Sequence, residues 1–181
     1  SGNDGVNISE KATSTASLKF NYADDARGEI ILDANGNVLV ASCTQSPNFP
    51  TSVGAPQRTF GGGQDGCAFR MNPGLNTLDW STLIGGSAND AAYSIKPSPN
   101  GDIYVCGGTV SSNLPTPPSA LQSGFAGGRA DGFIARINQT GTAFAAMTYL
   151  GTADYDQCYF IEIDESGNVY VYGQTSGPYP V

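Results

Sequence analysis

The sequence predicts an all-β chain assembled from repeated four-stranded antiparallel sheets, on three observations. First, among 181 residues there are 24 Gly and 11 Pro, while Asp, Glu, Lys and Arg supply only 13%, about half the usual share. A chain so rich in turn formers and so poor in helix-surface charge does not build many helices, and 10% aromatics argue against disorder. Second, the chain repeats: Gly28–Val40 aligns with Tyr93–Val105 and again with Tyr159–Val171, and Gly36, Gly101 and Gly167 stand 65 and 66 residues apart. Third, the turn signals fall between β-branched runs, where an Asn-Gly pair supplies the positive φ of a tight hairpin.

The rest of the unit keeps the same step. Asn48-Phe49-Pro50-Thr51 returns as Asn113-Leu114-Pro115-Thr116, and weakly as Pro178-Tyr179-Pro180-Val181. Asp65-Gly66 returns as Asp131-Gly132, and Ser81–Gly86 as Met147–Thr152. In the middle unit the pattern predicts strands over Ala91–Pro97, Asp102–Gly108, Gly132–Asn138 and Ala143–Leu150. Hairpin turns fall at Asn100-Gly101 and Thr140-Gly141, with a long Pro/Gly loop over Thr109–Ala130. The runs Val38-Leu39-Val40, Ile103-Tyr104-Val105 and Val169-Tyr170-Val171 are apolar throughout rather than alternating, which predicts burial on both faces. Four short antiparallel strands per repeat, sandwiched between neighbouring sheets, are the blade of a β-propeller. The coils of a linear β-solenoid are much shorter than this step.

In this register residues 1–22 end a preceding blade, with Lys11–Phe20 as its last strand. Residues 23–86 and 87–152 are two blades, and 153–181 are the first half of another. A propeller closes with about 4–8 blades, so the expectation is a partial propeller, a segment of a longer protein whose remaining blades are its first partners.

The repeated elements resemble the SBBP, or β-propeller repeat, family. The residues that carry the resemblance are Thr148-Tyr149-Leu150-Gly151, Asp156, Gly167-Asn168-Val169-Tyr170-Val171, Asn48-Phe49-Pro50-Thr51 and Gly128-Arg129-Ala130-Asp131-Gly132-Phe133. The chain departs from that pattern at Cys67, where the family has Phe, and at Leu39-Val40, which lacks Tyr-Val. The stretch Asp156–Asp164 is similar to a subgroup in very large surface proteins of Bacteroidetes, which usually end in a gliding-motility-associated, type IX secretion sorting domain. The resemblance implies an exported scaffold or adhesin, extracellular or at the cell surface, with envelope or secretion proteins or glycans as further partners.

Charge and composition exclude some classes of function. A balance of 8 basic and 16 acidic residues gives a net charge of −8, and with no basic cluster a nucleic-acid partner is not expected. There is no histidine, which removes the commonest general base and metal ligand together. No apolar run reaches the roughly 18–20 residues of a membrane-spanning helix.

Two readings compete for the recurring acids. Asp25, Asp90 and Asp156 recur at one position and Asp65 and Asp131 at another. They either ring a channel, as carboxylates for cations or sugars, or cap backbone N–H groups at Gly-rich turns. Recurrence favours capping, because a catalytic site breaks symmetry while a structural device repeats. Asp33–Asn37 and Asp164–Asn168 resemble the opening of a calcium loop, but the twelfth positions are Thr44 and Thr175 instead of an acid. Hairpin turns explain both stretches, and no cofactor is expected. Cys43, Cys67, Cys106 and Cys158 lack metal-ligand spacing. Cys43 ends a second strand and Cys67 begins a third, so a disulfide between them and burial as small apolar groups both stand as alternatives. Phe49, Phe60, Leu114 and Phe125 either contact a partner or anchor the long loops on their own blades. Asn7-Ile8-Ser9 and Asn138-Gln139-Thr140 match the glycosylation pattern.

The function expected is therefore a non-enzymatic propeller segment, a scaffold or a protein- or glycan-binding module. One alternative is a carbohydrate-active lyase or hydrolase on a propeller scaffold, using Glu29, Glu162 or Tyr155 with a carboxylate pair. Another is a subunit or cargo fragment held within a secretion or surface assembly.

Overall fold

The structure, a computed structural model, describes residues 28–179. Ten strands follow one another: β1 (Glu29–Leu32), β2 (Val38–Thr44), β3 (Asp65–Met71), β4 (Leu78–Ile84), β5 (Asp90–Pro97), β6 (Ile103–Thr109), β7 (Asp131–Ile137), β8 (Phe144–Leu150), β9 (Asp156–Ile163) and β10 (Val169–Thr175). They form two four-stranded meanders, β1-β2-β3-β4 and β5-β6-β7-β8, and a two-stranded sheet, β9-β10. Every pairing is antiparallel. These are β-propeller blades, two complete and one begun, in an arc that does not close. Among the described residues there is no helix, and so none that could cross a membrane. The strand expected at Lys11–Phe20, together with Asp25 and Asn7, lies outside the described residues.

Gly36, Gly101 and Gly167 sit at the first hairpin of each unit with φ of 78°, 88° and 83°, values at which a side chain would strain the backbone. Each turn is tied by an Asx or Ser side chain at its start. Asp33 Oδ1 accepts from the N–H groups of Asn35 (2.8 Å) and Asn37 (2.9 Å), and Asp164 Oδ1 does the same for Ser166 and Asn168. At Asp164 the hydrogen bond from the Asn168 side chain is the main cause that holds the carboxyl below its usual range.

The blades stack face to face. Leu39 and Ala41 of the first pack against Ile95, Val105, Phe133 and Ile137 of the second, all fully buried. Cys106 of the second packs against Cys158 and Ile161 of the third. Burial of a side chain the size of Leu or Phe stabilises by about 1.5–3 kcal/mol, so these contacts dominate the cohesion of the stack. Burial on both faces, expected for all three apolar runs, comes nearest in the middle blade. There Ile103 and Val105 are buried on one face and Cys106 on the other, with Tyr104 half-buried, whereas Val38 and Val40 are half-buried and Val169 and Tyr170 are 39% and 57% exposed, because an end sheet has a described neighbour on one side alone.

The outer strand of each blade is an exposed edge, which invites pairing with other chains unless it is covered. Here the long loops cover it. In the first blade Ser52 N–H donates to Ser81 O and Leu83 N–H to Gln57 O; in the second Tyr149 N–H donates to Gln122 O. Phe49 packs on Phe69 and Phe125 on Tyr149, with ring centroids 6.4 and 6.3 Å apart, while Leu114 is buried in the core. Those three residues anchor loops on their own blades.

The Cys43–Cys67 bridge does not form. The register sets Cys43 against Gly66 and Cys67 against Ser42, one residue out of step. Side chains alternate faces along a strand, so the two thiols leave the ribbon on opposite sides.

Blade-to-blade packing is close at Gly141, whose φ is 70° and where a Cβ would run into the indole of the buried Trp80 on the preceding blade. Gly141→Ala therefore carries a backbone and a packing penalty, together about 2–4 kcal/mol. Urea denaturation should show that loss, and an unchanged midpoint would mean the junction yields at this point.

Candidate functional site

The recurring carboxylates among the described residues, Asp65, Asp90, Asp131 and Asp156, lie in the junctions between blades. Asp65, Asp90 and Asp131 are fully buried and Asp156 nearly so. Backbone bonds set the geometry: Asp90 N–H donates to Gln64 O and Asp156 N–H to Ala130 O, each at 2.8 Å, across two short parallel bridges between sheets. In the second sheet Thr109 stands between Asp90 and Asp131 in register, and in the first and third sheets Thr44 and Thr175 stand opposite Asp65 and Asp156. The result is a belt of buried acid crossing from blade to blade.

Each acid caps a glycine-rich turn. Asp65 accepts from Gly61 N–H (3.0 Å) and Gly62 N–H (3.3 Å), Asp131 from Ala126 N–H (2.6 Å), Asp90 from Gly86 N–H (2.7 Å) and Asp156 from Thr152 N–H (2.6 Å). Two glutamines absent from the sequence reading complete the arrangement. Gln57 donates to Asp65 (3.1 Å) and accepts from Gly85 N–H (3.0 Å). Gln122 donates to Asp131 (3.4 Å) and accepts from Gly151 N–H (3.0 Å). Their N–H groups donate in turn to the Thr82 and Thr148 hydroxyls. The signal was present in Ala55-Pro56-Gln57 and Ala120-Leu121-Gln122, at the 65-residue step that also relates Asn48–Thr51 to Asn113–Thr116 in these loops.

The two junctions reach one end by different residues. Asp90 accepts from the Thr109 and Ser111 hydroxyls, the latter at 2.8 Å, and Gly86 leaves room, since a Cβ there would lie 2.5 Å from that of Ser111. In the next junction the hydroxyl comes from the other side. Thr152 stands in the place of Gly86 and donates to Asp156 at 2.8 Å, while Gly177 stands in the place of Ser111, where a Cβ would collide with Thr152 Oγ1. Asp156 Oδ1 and Asp131 Oδ1 have no hydrogen-bond partner among the described residues.

Burial shapes the titration of these groups. It pushes Asp90 up to about 6 against the hydrogen bonds from Thr109, Gly86 and Ser111, with the charge of Asp65 adding to the rise. Burial likewise pushes Asp131 up to about 6, with Asp156 adding repulsion. Asp65 is raised by burial as well, and the buried Cys67 and Cys158 thiols are each pushed up to about 12. Such thiols do not act as nucleophiles near neutral pH.

A second polar group lies on the inner strands. Glu29 accepts from the Ser94 hydroxyl (2.6 Å) and Ile95 N–H (2.8 Å) and pairs with Lys96 (3.0 Å), which also reaches Glu162 (3.3 Å). One blade further on, the Ser94 hydroxyl accepts from Ile161 N–H at 3.2 Å. A side chain of each blade thus satisfies an inner-strand N–H of the next. Burial acts to raise the Glu29 carboxyl, but the hydrogen bonds from Ser94, Ile95 and Lys96 together hold it below its usual range. A general acid for glycoside cleavage needs the opposite shift. Tyr155 sits apart from this pair, buried with Tyr93 and Tyr159. Among the described residues no three His, Cys, Asp or Glu side chains gather closely enough to hold a metal ion.

The blades, their 65- and 66-residue step and the capped junctions define a propeller repeat protein. Residues 147–180, from β8 through β10, match the family described as SBBP, β-propeller repeat. No curated protein matches the chain.

Two predictions follow from the junctions. Ser111→Gly removes a hydrogen bond to a buried carboxylate, costing about 1–3 kcal/mol, and Gly86→Thr alone overpacks the same spot. The double variant reproduces the pairing of Thr152 with Gly177, so a double-mutant cycle should give a strong favourable coupling; additive losses would show the two positions to be independent. The second concerns pH. Because the folded pKa values of Asp90 and Asp131 exceed the unfolded value, the folded state holds extra protons between about pH 4 and 6. Their contribution to stability is greatest below pH 4 and is lost as pH rises through 6. Asp90→Asn should flatten that slope in denaturation curves across this window, whatever its effect on absolute stability.

Proposed function

We propose that the chain is a non-enzymatic β-propeller segment of a larger exported surface protein, serving as a rigid scaffold or as a protein- or glycan-binding module. The observation that carries this reading is the use made of the polar side chains. The recurring acids are engaged by main-chain N–H groups, hydroxyls and glutamine amides of the junctions, and Glu29 by the neighbouring strand. Groups so occupied hold blades together and are not poised to act on a substrate. The export and surface location rest on the sequence resemblance of Asp156–Asp164, and the binding role on the loops, which tolerate variation best in a repeat scaffold.

A panel of soluble polysaccharides incubated with the chain should show no turnover above blank. Turnover that disappears in Glu29→Gln or Glu162→Gln would replace this reading with the carbohydrate-active one. A glycan array and a pull-down from envelope extract then separate a sugar ligand from a protein partner or a host assembly.

A further inference from the structure

Of the four bulky loop side chains, Phe49, Leu114 and Phe125 are taken up in packing, and Phe60 is not. Among the described residues Phe60 joins none of the buried clusters. It lines instead a cleft of about 420 Å³ between the two complete blades, with Pro56, Pro115 and Phe144 as further apolar walls. That volume falls within the range of small-molecule sites. The floor is main chain: a Cβ at Gly61 would collide with the Gly86 carbonyl, so the two blades meet there and fix the shape of the cleft. The Asn113 amide at its rim is held by its oxygen, which accepts from the Ser87 N–H (2.9 Å) and hydroxyl (3.0 Å). Its two N–H donors take no acceptor among the described residues.

The second junction does not repeat this set. There Phe125 packs on Tyr149, while Thr152, Ala153 and Pro178 stand in the places of Gly86, Ser87 and Asn113. Structural devices of a repeat protein recur from unit to unit, so residues that break the repeat around a cleft point to a role outside the packing.

Charge and main-chain pairing narrow the occupant. None of the residues lining the cleft is ionisable, in a chain of net charge −8. Asp65 and Asp90 lie beneath the floor, 2.9 and 2.8 Å from where a Cβ of Gly85 would stand, and both are capped by turn N–H groups. An anionic ligand thus finds no cation, and a cationic one finds its carboxylates buried and engaged. A peptide strand finds no edge beside the cleft, because Leu83 N–H of β4 already donates to Gln57 O.

We propose that this cleft binds a neutral hexose glycan, with the C–H face of one sugar ring laid on Phe60 and a sugar hydroxyl accepting from the Asn113 amide. The aromatic wall supplies apolar contact of fixed shape, and the few polar groups orient the ligand. The inference rests on the glycan-binding form of the proposed function and deepens it, since it names the site and the charge class of the sugar.

The test is calorimetry on the full chain with the neutral trimers cellotriose, maltotriose and mannotriose, beside anionic trigalacturonate and a cationic glucosamine trimer. At least one neutral trimer should bind at millimolar concentration or below. Phe60→Ala should weaken that binding at least tenfold while leaving the urea midpoint unchanged. Asn113→Asp, which keeps the oxygen that holds Ser87 and removes the donors, should do the same to binding. Leu121→Ala, at an 84% exposed residue of the next loop, should bind as the parent does. No neutral trimer bound at millimolar concentration, a preference for a charged trimer, undiminished binding in Phe60→Ala, or a lowered midpoint in that variant overturns the proposal. These outcomes leave the scaffold and protein-binding reading standing, whereas turnover on polysaccharides would remove the non-enzymatic reading whether or not a sugar sits in this cleft.

Discussion

A sheet apolar on both faces has no stable existence by itself in water, and everything else in this chain follows from placing another sheet against each face. Face-to-face stacking buries Leu39, Val105, Phe133 and Ile137 between blades, but it also carries strand ends, turn amides and carboxylates into the same dry space. An unpaired buried polar group costs as much as a good contact contributes. The junctions are therefore built so that the carboxylates terminate turn N–H groups that would otherwise be orphaned. Hydrophobic burial drives the stacking, and the acids make it tolerable.

The belt from Asp65 through Asp90 and Thr109 to Asp131 and Asp156 shows how a repeat keeps a function while changing its residues. At one junction a hydroxyl reaches the acid from Ser111 and a glycine makes space at 86; at the next the hydroxyl arrives from Thr152 and the glycine moves to 177. The pairs Gly107–Phe133 and Ser42–Cys67 follow the same logic in apolar form. Cys67, which stands where the second blade has Phe133, thus has a packing explanation: its cross-strand neighbour is no longer glycine.

The inner strands pose the complementary problem, since their inward edges have no strand to pair with. Glu29 and Ser94 answer it by reaching from one blade to a backbone N–H of the next. A carboxylate committed to Ser94, Ile95 and Lys96 belongs to the architecture of the stack. The third sheet breaks this series, with Phe160 at the position of Glu29 and Ser94, and presents Phe160, Tyr170 and Tyr172 to solvent. At that position the face is accordingly aromatic where the first two sheets carry Glu29 and Ser94.

Much of the architecture is local information and was legible in the residues. Turn type depends on Gly at positive φ, strand type on β-branched runs, and blade length on the spacing of Gly36, Gly101 and Gly167, so strands such as Ala91–Pro97 were located to within about a residue. The recurrence of the acids and their capping chemistry were equally local. The tertiary structure decided what depends on register and on contacts between blades. One residue of register separates Cys43 from Cys67 onto opposite faces. The docking of Gln57 and Gln122 onto threonines some 25 residues away carries no short-range pattern. The exchange of Ser111 for Thr152 is visible only when two repeats are seen to meet, because its meaning lies in a volume shared by residues that are distant along the chain.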